Sequence, residues 1–325
     1  MNYIKLGIRG PRVSRIAFGN WSAGGDWGNV DRKAAIAAHR KALDLGINLF
    51  DTARGYGLGA AEELLGTALG PELRTLRDKL VIATKGGLRP DGHGELMRDS
   101  SAKALREDLE ASLRSLNTDY VDIYQVHWPD PATPFAETAE ALDTFVREGK
   151  VRYVGVSNFD ARQMAAFQQT HPIDTLQPPY HLFRREVEES ILPFAGEHGI
   201  GVLVYGPMAH GLLAGHITAE TRFPPNDWRS KNDLFRGETF RRNLAIVHEL
   251  DAFAAQRGIT TAQLAIAWTL ANPQVHVAIV GARNPEQIAA TAPAAEVQLT
   301  PDDMARIDEI TRNEVPVGGP SPESV

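Results

Sequence analysis

The sequence of 325 residues contains no cysteine. A disulfide framework, cysteine-ligated zinc, iron–sulfur chemistry and a thiol nucleophile are therefore excluded, while the redox compartment stays open. No apolar run approaches the roughly 18 residues of a membrane-spanning helix. Lys5, Arg9, Arg12 and Arg15 also break the first segment, where a secretory leader needs its hydrophobic stretch. The expected address is the cytoplasm, with no membrane partner. Basic residues are in the minority: 34 Lys and Arg against 41 Asp and Glu give a net charge of −7. Broad binding to nucleic acid is not expected from that balance, so any anion site must be local. The 10 histidines include no His-x-His and no His-Glu-x-x-His, which leaves a metal hydrolase without its usual ligand spacing.

What is present is an ordinary globular composition, 43% hydrophobic and 23% charged, arranged in one repeated rhythm. Short β-branched runs alternate with longer stretches whose apolar residues recur every three or four positions. The runs are 15–19, 47–51, 80–84, 120–126, 151–156, 173–176, 201–205 and 276–280. Most are nearly continuously apolar, as expected of parallel strands buried on both faces. Between them, Leu105, Leu109, Leu113 and Leu116 share one helical face. Thr133 and Pro134 offer a hydroxyl N-cap and a proline in the first turn of the next helix, which is expected to run to Gly149. With no linker or shift in composition, the expected architecture is α/β: a single (β/α)8 barrel over residues 1–325.

Three segments depart from the repeat. Residues 3–6 and 13–14 flank the turn-prone GIRGP and predict an N-terminal hairpin that caps one end of the barrel. About seventy residues separate Tyr205 from the eighth run, including a Pro- and charge-rich stretch at 217–240 that is expected to be a lid, followed by two helices. The tail 313–325 is rich in Pro, Gly and Ser and is expected to be loose.

Active sites of such barrels lie at the C-terminal ends of the strands. Asp51, Lys85, His127, Ser157, Asn158, Gln177, Tyr205 and Arg283 all fall there. Each has a plain structural alternative: Asp51 as a turn cap, His127 as a core histidine. Lys85 is harder to dismiss, because only 8 of the 34 basic residues are lysine and this one directly follows LVIAT. A buried ammonium needs a counter-ion, and Asp51 is the natural one. That pairing also weighs against a Schiff-base aldolase, since it keeps the lysine in its non-nucleophilic ammonium form.

The segments FDTARGYG, ATKGG, YQVHWPD, VGVSNF and VGARNPEQ, in this order, resemble the signature segments of the aldo-keto reductase superfamily. Together with KLG…VSRIAFGNW they are similar to its bacterial branch related to inositol-catabolism oxidoreductases and potassium-channel β subunits. The resemblance covers nearly the whole chain. It implies a barrel that binds NADP(H) without a Rossmann domain and reduces the carbonyl of a small aldehyde or ketone. In agreement, GYGLG at 55–59 lacks the G-x-G-x-x-G spacing.

Carried over residue by residue, the resemblance places a catalytic tetrad on Asp51, Tyr56, Lys85 and His127. Tyr56 would donate the proton, with Lys85 favouring its phenolate, Asp51 holding Lys85 and His127 aligning the substrate oxygen. Gly55 and Gly57 would give the loop its freedom. Ser157, Asn158 and Gln177 would hold the nicotinamide carboxamide, Tyr205 would stack on the ring and Trp21 would line that end. Gly206, Pro207, Met208 and Ala209 would follow the pyrophosphate, with Arg229 as a clamp whose alternative is a surface salt bridge. Gly281, Ala282, Arg283 and Gln287 would hold the adenosine end, where Thr291 replaces an asparagine and a helix starts at Pro285. Trp27, Trp128 and Trp228 are expected walls of the substrate pocket. The same resemblance allows a second role, an NADP(H)-binding redox sensor that turns over slowly. The oligomeric state is left open.

Overall fold

Along each barrel strand successive side chains point alternately inward and outward, and this period of two decides both the core and the site. The computed structural model describes residues 1–92, 96–232 and 235–316. The eight barrel strands are β1 Ile16–Gly19, β2 Leu49–Asp51, β3 Val81–Gly86, β4 Val121–Val126, β5 Val151–Ser157, β6 Thr175–Gln177, β7 Gly201–Tyr205 and β8 Val277–Gly281. All pair in parallel with their sequence neighbours, and β8 closes on β1 through Gly281 and Gly19. The expected barrel is therefore present. Ile47 and Ile173 precede their strands by two residues, because the Ile47 N–H is already satisfied by the Ala42 carbonyl at the end of the previous helix.

Outward residues such as Phe18, Phe50, Ile82, Tyr124, Val154 and Val204 pack against the helices in the main core. Inward residues Ala17, Leu49, Val81, Ala83, Ile123, Leu203 and Val277 form a second, inner core. The hairpin Tyr3–Lys5 with Arg12–Ser14 closes the N-terminal end of that inner core with Leu6 and Val13. Its turn lies so close to β7 that a side chain at Gly7 (φ +65°) would overlap the backbone nitrogen of Gly201.

The helix Ala102–Leu116 buries Leu105, Leu109, Leu113 and Leu116 as expected, with Ser101 as its N-cap. The next helix corrects the reading of Thr133. It runs Phe135–Arg147 with Pro134, not Thr133, at the cap position. The Thr133 hydroxyl donates instead to Asp130 Oδ2 (2.7 Å), a buried carboxylate that also accepts from the Ser100 and Ala132 N–H groups.

The two helices before β8 are Gly237–Gln256 and Thr261–Ala271. The stretch ahead of them crosses to the loop after β1. Trp27 and Asp227 form an antiparallel bridge, and the Trp228 N–H donates to the Asp26 carbonyl (3.0 Å). Of the tail, residues 317–325 lie outside the described residues. Residues 313–316 are held rather than loose, since Val315 exchanges two backbone hydrogen bonds with the Asn243 amide (both 2.9 Å). Among the described residues no helix is long and apolar enough to cross a membrane.

Candidate active site

The inward positions that carry apolar side chains low in the barrel carry polar ones at its C-terminal rim. Asp51 follows Leu49 by two residues, Lys85 follows Val81 and Ala83, and His127 follows Ile123 and Gln125. Lys85 is fully buried. Its Nζ donates to Asp51 Oδ2 (2.7 Å), to the Thr52 carbonyl (2.9 Å) and to the Tyr56 hydroxyl (3.4 Å). Burial lowers the Lys85 pKa, and Asp51 opposes that shift. Asp51 is thus the counter-ion that makes a buried ammonium tolerable.

Tyr56 enters from the loop after β2, which turns at Gly57 (φ +57°). Gly55 has an ordinary helical φ of −67°, so only one of the two expected glycines is needed for its conformation. Burial, then Asp51 and Asp26, push the Tyr56 pKa well above its ordinary value. Tyr56 is therefore a protonated phenol. His127 stands edge-on to Tyr56 (centroids 5.5 Å apart, 80°). Burial and then Lys85 hold its pKa well below the usual histidine value, so its imidazole is neutral. Its Nδ1 is buried without a partner among the described residues.

A relay supports this cluster. Gln177 Nε2 donates to Asp51 Oδ1 (2.8 Å), Ser157 Oγ to the Gln177 carbonyl (2.9 Å), and Asn158 Nδ2 to the His127 carbonyl (3.0 Å) and Ser157 Oγ (3.1 Å). The Tyr205 hydroxyl donates to Asn158 Oδ1 (2.9 Å). Below it, Gly155 makes room for Gln125, whose Cγ would lie 2.7 Å from any Cβ there.

Two connected cavities open from the cluster. The smaller, with Tyr56, His127, Ser157, Asn158, Gln177 and Tyr205 at its base, is walled by Trp21, Asp26, Leu88, Leu96, Trp128 and His210. The larger has a cavity volume of about 400 Å³. It runs from Asp51, Tyr56 and Trp21 past Gln177, Tyr205, Gly206, Pro207, Met208 and Arg229 to Gly281, Arg283, Gln287 and Thr291.

Residues 15–312 match the model of the aldo/keto reductase family. The chain belongs to that family. It is 41% identical to aldo-keto reductase YhdN of Bacillus subtilis over 98% of this chain and 96% of that one. It is 33% identical to a NADH-specific methylglyoxal reductase of Escherichia coli (95% and 98% covered) and 34% identical to a probable voltage-gated potassium channel subunit beta of rice, Oryza sativa (96% and 97%). Among solved structures, a glycerol dehydrogenase from Gluconobacter oxydans superposes with a TM-score of 0.87 at 37% identity, covering 98% of this chain and 97% of that one.

Two of the expected cofactor residues, Ala209 and Ala282, do not line the larger cavity. Ala209 is buried and its N–H is taken by the Gly206 carbonyl (2.8 Å), so it does not line the cleft. Ala282 is also buried and faces a small neighbouring pocket. Arg229 is no surface salt bridge. Its side chain is 11% exposed, and its fork is held by Asp227 (2.7 and 3.0 Å) and by the His210 carbonyl (3.2 Å). So held, Arg229 lines the larger cavity. Arg283 is exposed, reaches the Trp27 carbonyl, and gives its backbone N–H to Gln287 Oε1 (2.7 Å). The helix Pro285–Thr291 starts as expected, capped by Asn284, while the Thr291 hydroxyl turns back to the Gln287 carbonyl.

Of the three further tryptophans, Trp128 walls the smaller cavity and Trp27 the larger. Trp228 lines neither and stacks behind Trp21 (6.0 Å, 17°). Sequence reasoning missed Asp26 and His210, which come from irregular loops with no periodicity to mark them. Asn20 could have been found, since it directly follows β1 at the rim.

Proposed function

We propose that this protein is a NADP(H)-dependent reductase that converts the carbonyl group of a small aldehyde or ketone to an alcohol, with Tyr56 as proton donor. The observation that carries this reading is the contact of Lys85 Nζ with both Asp51 (2.7 Å) and Tyr56 (3.4 Å), beside a neutral His127, at the junction of two cavities. The larger cavity fits a dinucleotide in its donor set: an aromatic ring at Tyr205, left-handed backbone at Gly206 and Gly211, and Arg283 at the far end. When bound, the nicotinamide supplies the hydride. Ser157, Asn158 and Gln177 would hold its carboxamide, and Arg229 and Arg283 its phosphates.

The chain's own residues supply the rest. Reduction leaves negative charge on the substrate oxygen, and a protonated Tyr56 can neutralise it by giving up its proton. Lys85 stabilises the resulting phenolate, which burial alone would make costly. Asp51 and Gln177 fix Lys85 in place. The neutral His127, as an N–H donor, aligns the same oxygen without competing for the proton.

The preference for NADPH rests on Arg283, whose planar fork suits a 2′-phosphate on an otherwise acidic protein. We expect that preference to be modest, since the relative named as NADH-specific shares 33% of the sequence. Small carbonyl substrates are consistent with the relatives named for methylglyoxal and glycerol. The similarity to potassium channel β subunits supports a second role as a slow-turnover redox sensor, as does the lid tied across the cleft by Trp27 and Asp227. The test is consumption of NADPH and of NADH over a panel of short aldehydes and ketones. Turnover preferring NADPH supports the reductase, and tight cofactor binding with negligible turnover supports the sensor. A wild type that prefers NADH contradicts the cofactor assignment.

A further inference from the structure

The cavity beside Tyr56 contains a carboxylate that the reaction above does not use. Asp26 lies in the loop after β1, and its Oδ2 accepts from Trp21 Nε1 (3.2 Å). That bond fixes it to the ring that stacks near Tyr56 (6.2 Å, 27°). The backbone is held as well, since the Asp26 carbonyl accepts from the Trp228 N–H (3.0 Å) and Trp27 bridges Asp227. Asp26 Oδ1 has no hydrogen-bond partner among the described residues, and the carboxylate has no ion-pair partner among them. Two cations that line the site region are already paired with other carboxylates, Lys85 with Asp51 and Arg229 with Asp227. Burial raises the Asp26 pKa and the Trp21 bond opposes the shift. Oδ1 is left to solvent in the open cavity, and a substrate that displaces that water has to offer a donor in its place.

We propose that Asp26 selects neutral carbonyl substrates that carry a hydroxyl group close to the carbonyl, and rejects those that carry a carboxylate or phosphate. This rests on the reading of the protein as a carbonyl reductase. A substrate whose oxygen meets Tyr56 and His127 has the rest of its short chain between Trp21, Trp128, Leu88 and Leu96. The apolar walls cover its C–H faces, and Asp26 Oδ1 is the free acceptor for its hydroxyl. An anionic group in the same place puts two like charges in one cavity and leaves Oδ1 unsatisfied.

The experiment compares kcat/KM for glyceraldehyde, propanal, glyoxylate and 3-aminopropanal in wild type, Asp26→Asn and Asp26→Leu, each enzyme serving as its own reference through propanal. The glyceraldehyde-to-propanal ratio is expected to fall about tenfold or more in Asp26→Leu, the scale of one charged hydrogen bond. The glyoxylate-to-propanal ratio is expected to rise about tenfold in Asp26→Asn. Ratios that stay within about twofold of wild type in both variants overturn the proposal, as does a wild type that favours glyoxylate or 3-aminopropanal over glyceraldehyde. A wild type that reduces none of the four contradicts the reductase reading instead. Asp26 is then judged by tryptophan fluorescence, titrating glycerol and 1-propanol into the NADP⁺-loaded protein. Tighter binding of glycerol that is lost in Asp26→Leu supports the proposal, and equal binding of the two alcohols refutes it.

Discussion

The floor of the barrel, where the N-terminal hairpin meets the strands, and its rim are both built from inward-facing side chains, yet they are chemically opposite. At the floor, Leu6, Val13, Ala17, Leu49 and Val81 interdigitate with no polar atom among their side chains. At the rim stand Asp51, Lys85, His127, Ser157 and Gln177. Every one is almost fully buried, and most are held by hydrogen bonds to one another. The floor is stabilised by area removed from water, and the rim holds desolvated charge that only its own partners make tolerable. Stability should therefore be sensitive below, and rate above.

The largest effect should come from the rim. Lys85→Met is expected to reduce carbonyl turnover by at least the roughly 10² to 10⁴-fold typical of proton-transfer catalysis, and Asp51→Asn by less, because the carboxylate acts through the lysine. Steady-state rates on both variants check this, and equal losses would contradict the order of action. The matching cut at the floor, Leu6→Ala, should cost about 2 to 5 kcal/mol of stability while leaving kcat near wild type. Urea unfolding beside a rate assay measures both, and a large loss of kcat in a folded protein would mean the two regions are coupled.

Smaller effects sharpen the contrast further out. Arg283→Ala should weaken NADPH by about 1.5 to 3 kcal/mol and hardly touch NADH, the range for a charged hydrogen bond. Paired cofactor titrations decide it, with equal losses pointing to adenine or to the Trp27 contact instead. In the outer layer, His39 is buried with Nδ1 bonded to the Ala35 carbonyl (2.7 Å), and burial lowers its pKa to about 4. The unfolded chain binds a proton below about pH 6.5 that the folded one refuses, so stability is lost as pH falls from there toward 4. The slope is at most about 1.4 kcal/mol per pH unit from this group. Urea midpoints at pH 7 and pH 5 should separate less in His39→Phe, and an unchanged separation would assign the acid sensitivity elsewhere.

The division between floor and rim was readable in the sequence because it follows from period two. Apolar runs marked the strands, and a lysine directly after LVIAT or an aspartate after NLF breaks the pattern where the barrel opens. Tyr56, in a loop, was reached only through resemblance. Asp26 and His210 were not reached at all, since irregular backbone gives no periodicity from which to infer direction. The depth at which Tyr56 sits was not legible either, since it depends on how its loop closes on Trp21 and His127.

That depth also sets the expected pH behaviour. With Tyr56 raised and His127 lowered, neither titrates near neutrality, and reduction should show no inflection between about pH 6 and 8.

The most direct test of the central claim is single-turnover oxidation of bound NADPH by excess aldehyde in wild type and Tyr56→Phe, with the cofactor Kd measured on the same samples. The account expects a Kd within about twofold and a rate at least about 100-fold lower in the variant, because one proton is removed and almost no volume. A Tyr56→Phe enzyme that turns over within a few-fold of wild type would contradict it.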